Sequence, residues 1–417
     1  MSIISNGNAP VVNRSVTIDA ASGPLAVGTL DIDTGELDVI TPPDEAAAME
    51  RVFALLRHHG WPVGVEVLPL VRGGVDVAVV HELQSEVPDS VSRGVEPQRS
   101  FTMVVCTRNR PEQLARSLPA LVDLLDDDRE LIVVDNAPRD DRTAAVVAKY
   151  GDAVRYIVEP IPGLARARNC GLRAANSKFV VFTDDDVVPD AAWLEVLGAT
   201  FAAHPGAVCV SGSVMPMSLT TSAELYFQEF GGYQRTFEEQ DFHLALDPPP
   251  SKLFPFHPRL VGTGANMAFR TEALASLGGF DEALGAGTPS RGGEDIDIAV
   301  RVLMAGLLVV RQPSAVIWHG SHRDESALLQ QLEDYGCGLS AAFSKFMHEP
   351  KFAPAVLRRV PAGLYALLSP NSQKNDKRSV DYPNELKRAE FRGLRRGPLA
   401  YRSSRRLARR LDREQLT

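Results

Sequence analysis

Cysteine is scarce: the 417 residues contain four thiols, Cys106, Cys170, Cys209 and Cys337. They are scattered, with no C-x-x-C spacing and no dense module, so a zinc site or disulfide framework is not expected and a reducing compartment fits. Long apolar runs are missing too. No uncharged stretch reaches the roughly 18 to 20 residues that cross a bilayer, and Met1 to Thr17 is polar, without the apolar core of a secretory leader. The expectation is a cytoplasmic protein. No internal repeat is visible.

What is present is the balance of a globular chain, 44% hydrophobic and 23% charged, too long for one minimal core. The net charge of -9 conceals an asymmetry. From Lys351 onward there are 17 basic and 6 acidic residues, a surplus of 11, which leaves -20 for the rest.

Three regions emerge: 1–99, 100–349 and 350–417. The first alternates short strand-like runs, Leu25 to Ile32, Leu37 to Ile40, Val65 to Leu70 and Val75 to Val80, around a helical pattern from Asp44 to His59. This predicts a small α+β domain of undetermined role, closed by a polar linker from Gln84 to Arg99. From Phe101 the pattern becomes α/β. Short apolar strands at Phe101 to Cys106, Leu131 to Val134, Val154 to Val158, Phe179 to Phe182 and Val208 to Val210 alternate with helices at Pro111 to Leu125, Asp140 to Tyr150 and Leu164 to Ala175. Continuous apolar strands between helices indicate a mostly parallel sheet buried on both faces. An irregular aromatic and proline-rich segment, Met215 to Arg259, follows. Beyond it come a strand at Gly264 to Phe269, a glycine-rich loop from Gly278 to Gly293, a helix from Glu294 to Met304, strands at Leu307 to Arg311 and Ala315 to Trp318, and a helix from Ser326 to Phe346.

The chemistry concentrates at strand ends. Asp184, Asp185 and Asp186 directly follow the run Phe179 to Phe182, and in an open α/β sheet the carboxyl ends of strands border the ligand crevice. Three adjacent carboxylates repel one another unless a cation is present. Mg²⁺ or Mn²⁺ held by Asp184 and Asp186 together with diphosphate oxygens is the D-x-D arrangement. Taken alone, the triplet also reads as a solvated capping turn. Thr107, Arg108, Asn109 and Arg110 follow the first strand, and Asp135 and Asn136 end the second. Asp135 can accept hydrogen bonds from a nucleobase, and Thr107 or Arg110 can contact base or phosphate.

These segments resemble family 2 glycosyltransferases of the GT-A fold over roughly Ser100 to His322. The resemblance rests on Cys106-Thr107-Arg108-Asn109-Arg110, Val133-Val134-Asp135-Asn136, Gly163 to Gly171, Thr183-Asp184-Asp185-Asp186 and Gly293-Glu294-Asp295-Ile296-Asp297, then a strand leading to His319. It implies a Rossmann-like sheet, a nucleotide-sugar donor (usually a uridine diphosphate sugar), a divalent metal and transfer with inversion. By position it implies donor contacts at Thr107, Arg108, Arg110, Asp135, Arg168, Asp184 and Asp185. Metal ligands fall at Asp186, Asp184 and His319, whose nitrogen favours Mn²⁺ over Mg²⁺. The catalytic acidic pair falls at Glu294 and Asp295, with Asp295 as the base.

Gly262, Gly264, Ala265 and Asn266 then border the acceptor, Tyr233 is a sugar-stacking candidate, and Trp318 is read as core. The acceptor (glycan, lipid-linked compound, natural product or peptide) is not readable from these motifs. The basic tail from Lys387 to Arg413 suits an anionic membrane surface at the inner face, the acidic body of this or another subunit, or a solvated helix; nucleic acid is not expected. Two rival readings share the motifs. A nucleotidyltransferase normally cradles triphosphate in a glycine-rich loop after the first strand, and Cys106 to Glu112 has no glycine. A non-catalytic sugar-nucleotide or glycan-binding module would keep the donor contacts without a working base.

Overall fold

The computed structural model describes residues 18, 20 and 23–415, apart from 88–95, 232–236, 247, 250, 258–261, 321–323, 370, 373, 376, 377, 380 and 381. Tyr233 and His322 therefore lie outside the described residues.

The N-terminal part forms a four-stranded sheet, β1 (Ala26–Asp31), β2 (Leu37–Val39), β3 (Arg51–His58) and β4 (Trp61–Pro69), in the order β2-β1-β3-β4. Between β2 and β3 lies a single turn of helix, α1 (Pro43–Ala46), and after β4 comes α2 (Val77–Glu86). Two expectations are corrected. The stretch from Asp44 to His59 is mostly strand: Val52, Ala54 and Leu56 bury one face of β3, while Phe53 and Leu55 bury the other. An apolar run buried on both faces has no period to separate it from a helix, and its helix-forming residues yield to pairing with β1 and β4. Conversely, Val77 to Val80 opens a helix whose first turn is capped by Asp76, which accepts from the Ala78 amide. This helix covers the sheet with Val80 and Leu83.

The central sheet begins with β5 (Phe101–Thr107), α3 (Pro111–Val122), β6 (Arg129–Asn136), α4 (Arg142–Val147), β7 (Arg155–Glu159), α5 (Leu164–Ala174) and β8 (Phe179–Asp184). It continues through β9 (Val187–Pro189), α6 (Trp193–Ala203), β10 (Ala207–Pro216), α7 (Ser222–Glu229), β11 (Gln240–Phe242), β12 (Met267–Arg270), α8 (Thr271–Ser276), α9 (Glu294–Met304) and β13 (Leu308–His319). The order is β11-β13-β10-β12-β8-β5-β6-β7, with β9 beside β13. Strands β7, β6, β5 and β8 run parallel, and β12 is antiparallel to β8 and β10. The two strand runs expected at 307–311 and 315–318 are one strand, β13, with an irregular register against β10.

Alternation along β5 divides the interior into two layers. Phe101, Met103 and Val105 pack with Leu114, Leu118 and Trp193 from α3 and α6. Val104 and Cys106 pack with Ala165, Leu172, Ile298 and Val302 from α5 and α9. The result is the α/β architecture expected of a GT-A sheet, with helices on both faces. The small sheet shares a third core with it, in which Val27, Phe53 and Val65 meet Met215, Val316 and Trp318. Trp318 is thus core, as read from the sequence.

Three helices follow: α10 (Glu325–His348), α11 (Ala353–Leu368) and α12 (Asn384–Gln415). The basic α12 lies along α10 through its small residues. Gly393 and Gly397 come so close that an added Cβ would sit 1.9 Å from the Glu333 carbonyl and 2.5 Å from that of Cys337, respectively.

Candidate active site

Register builds the site. Cys106 of β5 pairs with Asp184 of β8, and Thr107 pairs with Asp135 of β6, so three strand ends present their polar residues along one edge. The chain leaves β5 toward β6 and β7 on one side and returns with β8 on the other. Such a reversal opens a crevice at the carboxyl ends.

Around that crevice the acidic triplet splits. Asp184 and Asp186 lie with His319, the last residue of β13, so that a ligating atom from each falls within 4.8 Å of the others. His319 Nε2 is 3.2 Å from Asp186 Oδ1 and 3.8 Å from Asp184 Oδ2. Burial favours the neutral imidazole, but the Asp184 and Asp186 carboxylates overcome it and push His319 up to about 9. Burial would also lift Asp184, yet His319, Arg168 and Arg110 hold it below its ordinary value. Asp186 Oδ1 is buried and accepts no hydrogen bond among the described residues. Two carboxylates and an imidazole this close together suit a divalent cation, which would take the place of the proton on His319.

Asp185 turns the other way, toward the turn after β5. Its carboxylate is buried and accepts from Thr107 Oγ1 at 2.6 Å and Arg110 Nη1 at 2.6 Å. Its carbonyl takes the Ser117 hydroxyl of α3 at 2.9 Å. Burial pushes this carboxyl up to about 6 against the pull of Arg110 and Thr107. The Thr107 hydroxyl is accordingly spent on the turn. Arg110 bridges outward, with Nη2 2.5 Å from Asp186 Oδ2. Arg108 reaches over the glycine-rich loop, where its Nη1 would lie 3.0 Å from a Cβ on Gly287.

Asp135 is fully buried, with Oδ2 accepting from Tyr156 Oη at 2.8 Å and Oδ1 without a hydrogen-bond partner among the described residues. Burial raises it above the usual carboxylate range, while the Tyr156 and Thr143 hydroxyls oppose the shift. Tyr156 escaped the sequence reading, although the register that sets β7 beside β6 would have exposed it. Asn136 braces the turn into α5, accepting from Gly163 N and donating to the Ile161 carbonyl.

Arg168 joins the two acidic groups. Its buried guanidinium is 2.9 Å from Glu294 Oε1 and 3.5 Å from Asp184 Oδ1, and it donates to the Gly264 carbonyl at 3.0 Å. A Cβ on Gly264 would fall 2.7 Å from Arg168 Nη1, so only glycine lets this loop lie on the guanidinium. Burial and the neighbouring Asp295 lift Glu294 to about 7, with Arg168 opposing. Asp295 is half-buried, and it accepts from the Gly264 amide at 3.2 Å and the Ile296 amide at 2.8 Å. Both acids open α9 behind Gly293, whose left-handed φ of 89° and the Gly338 carbonyl 2.3 Å from its would-be Cβ exclude a side chain. Asn266 is a brace, binding the Ser213 and Ala315 carbonyls and the Trp193 indole. A separate cavity of about 760 Å³ near Arg129 and Tyr156 opens at the starts of β6 and β7, the opposite edge of the sheet.

The chain is 27% identical over 262 residues to a pre-mycofactocin glycosyltransferase of Mycobacterium tuberculosis, covering 62% of this chain and 50% of that protein. It is 25% identical over 189 residues to a glucosyl-dolichyl phosphate glucuronosyltransferase of Haloferax volcanii, covering 43% and 55%. The chain thus spans about half the length of these curated relatives. A mannosyltransferase of Pyrobaculum calidifontis, solved with GDP-Man and Mn²⁺, superposes with a TM-score of 0.46 at 21% identity over 68% of this chain and 75% of that one. Residues 102–275 match the model of Glycosyl transferase family 2.

Proposed function

We propose that the chain is a glycosyltransferase that moves a sugar from a nucleoside diphosphate sugar, in our reading a uridine diphosphate sugar, to an acceptor hydroxyl with inversion. The observation that carries this reading is the continuity of the cleft: Arg168 lies between Asp184 on the metal side and Glu294 beside Asp295 on the acceptor side. A site for binding alone has no need of a second acidic pair held at that position.

In this reading Asp184, Asp186 and His319 hold Mn²⁺ or Mg²⁺, which when bound neutralises charge on the departing diphosphate. Asp135 accepts from the nucleobase through Oδ1, the oxygen without a hydrogen-bond partner among the described residues, and Arg110 pivots from Asp186 toward phosphate. Asp295 takes the acceptor hydroxyl proton as the oxygen bonds to the anomeric carbon. The bond from that carbon to the diphosphate oxygen breaks on the opposite face, and the nucleoside diphosphate leaves with the electron pair. Glu294 and Arg168 hold Asp295 and Asp184 in place.

The test is a panel of nucleotide sugars incubated with Mn²⁺ or Mg²⁺, read as released nucleoside diphosphate, followed by acceptor trials. Asp295→Asn should lower turnover by roughly 10² to 10⁴-fold while donor affinity stays near wild type. Asp186→Ala and His319→Ala should instead weaken Mn²⁺ binding in calorimetry. Failure of any nucleotide sugar to bind in the presence of metal defeats the reading. Unchanged turnover in Asp295→Asn removes Asp295 as the base.

A further inference from the structure

Helix α11 carries an exposed apolar face as well as a buried one. Its inner face is anchored: Phe352 and Val356 join Phe256, Phe346 and Tyr401 in a buried cluster. Arg359 donates to the Phe254 carbonyl at 2.7 Å and lies over the Phe256 ring. The outer face is apolar as well. Leu357, Val360, Leu364, Tyr365 and Leu368 leave 45 to 66% of their surface in solvent. Their spacing gathers them into one stripe along about three turns.

The charge around this stripe is mostly positive. No acidic residue occurs between Glu349 and Asp376, whereas Lys351, Arg358, Arg359 and Lys374 do. Next to the end of α10, Arg405 and Arg409 of α12 line a cavity with Lys345 and His348, and with the acids Asp281 and Glu349, and Arg402 and Arg406 of α12 are exposed. The tail thus carries a local positive surplus on a chain whose remainder is strongly negative. An anionic surface is attracted to this end and repelled by the rest, which orients the molecule.

We propose that the α11 face docks on an anionic lipid bilayer, lying in the headgroup plane with Leu357, Leu364 and Leu368 in the acyl boundary and Arg358 and Lys351 at the phosphates. An apolar stripe with a mostly cationic border, no acid within it and a tyrosine at its edge is the pattern of an interfacial helix. A symmetric pairing of two copies through this face would set Arg358 and Lys351 against their own images. Among the described residues no helix is long and apolar enough to cross a membrane, so the contact is peripheral. The sequence suggested the α12 segment for such a role, but α12 spends Leu386, Ala389, Tyr401 and its glycines on the protein. Helix α11 carries the unpartnered face.

The experiment is co-sedimentation of the full chain with vesicles of phosphatidylcholine alone or mixed equally with phosphatidylglycerol. The wild type is expected to pellet with the mixed vesicles, less so at high salt, and to stay in solution with phosphatidylcholine alone. Leu364→Glu combined with Leu368→Glu should weaken vesicle affinity by more than about tenfold, since each buried leucine is worth roughly that factor or more, with an unchanged circular dichroism spectrum. Leu364→Trp should bind and shift its emission to the blue on adding mixed vesicles. The proposal is overturned if the wild type ignores both vesicles, if the double variant binds equally well, or if the chain is a dimer that the double variant splits without any vesicle binding. None of these readouts depends on the transferase reading, so the two fail separately.

Discussion

Asp184, Asp185 and Asp186 are adjacent and chemically identical, yet the fold gives them different surroundings. A strand end turns successive side chains to opposite sides, so Asp185 points under the turn to Thr107 and Arg110 while its neighbours face His319. Glu294 is one of the residues whose titration is coupled to folding. Its ordinary value of 4.5 rises to about 7 in the folded protein because burial and Asp295 penalise the charge. Between those values the folded state binds the extra proton, so this contribution favours folding at low pH and is lost as pH rises from about 4.5 to about 7. Denaturation in chelator across that range should show stability falling with pH, and Glu294→Gln should flatten the slope. An identical slope in the variant would remove Glu294 as its source.

At the level of elements, β5, β6, β7, β8 and β10 were readable because each contains a short apolar run, whereas β9 was not expected and β11 lies in the segment read as irregular. The same logic misassigned β3, whose two buried faces erase the alternation that marks a strand. Packing between α10 and α12 was not readable at all, because glycine in a helix carries no apolar signal. It rests on Gly393 and Gly397, and it brings Ser404 within 2.9 Å of Ser290 in the loop before Glu294. Tyr401 also reaches Asp281, and Lys345 of α10 pairs with Asp281 and Asp297. The tail helix therefore buttresses the loop that precedes Glu294. Gly393→Ala should force the helices apart at a cost of about 1 to 3 kcal/mol, lowering the melting temperature and accelerating amide exchange in the loop from Gly285 to Gly293. Exchange unchanged there would separate α12 from the loop.

On the scale of the whole molecule, the small sheet and the central sheet are tied by a shared core and, among the described residues, by the ion pair of Arg57 with Asp190. Arg57 Nη2 of β3 meets Asp190 Oδ2, and the Asp190 side chain is completely buried. Arg57→Ala leaves that carboxylate without its cation, a loss of about 3 to 5 kcal/mol for a buried pair, to be measured by thermal unfolding. Arg57→Lys should recover part of the difference. If Arg57→Ala melts with the wild type, the shared apolar core alone holds the sheets together.

By itself the sequence determined the α/β alternation, the strand ends that carry Thr107, Asp135 and Asp184, the helix opened by Glu294 and Asp295, and the family to which these motifs point. Each is local, written in a run of a few residues by periodicity or by a side chain's fixed offset from a strand. The tertiary structure alone decided which acid of the triplet is buried, that Arg168 meets Glu294 from 126 residues away, and that α12 is tucked against the body while α11 stays open. Those outcomes depend on which distant side chain fills the space opposite, and no local pattern encodes that.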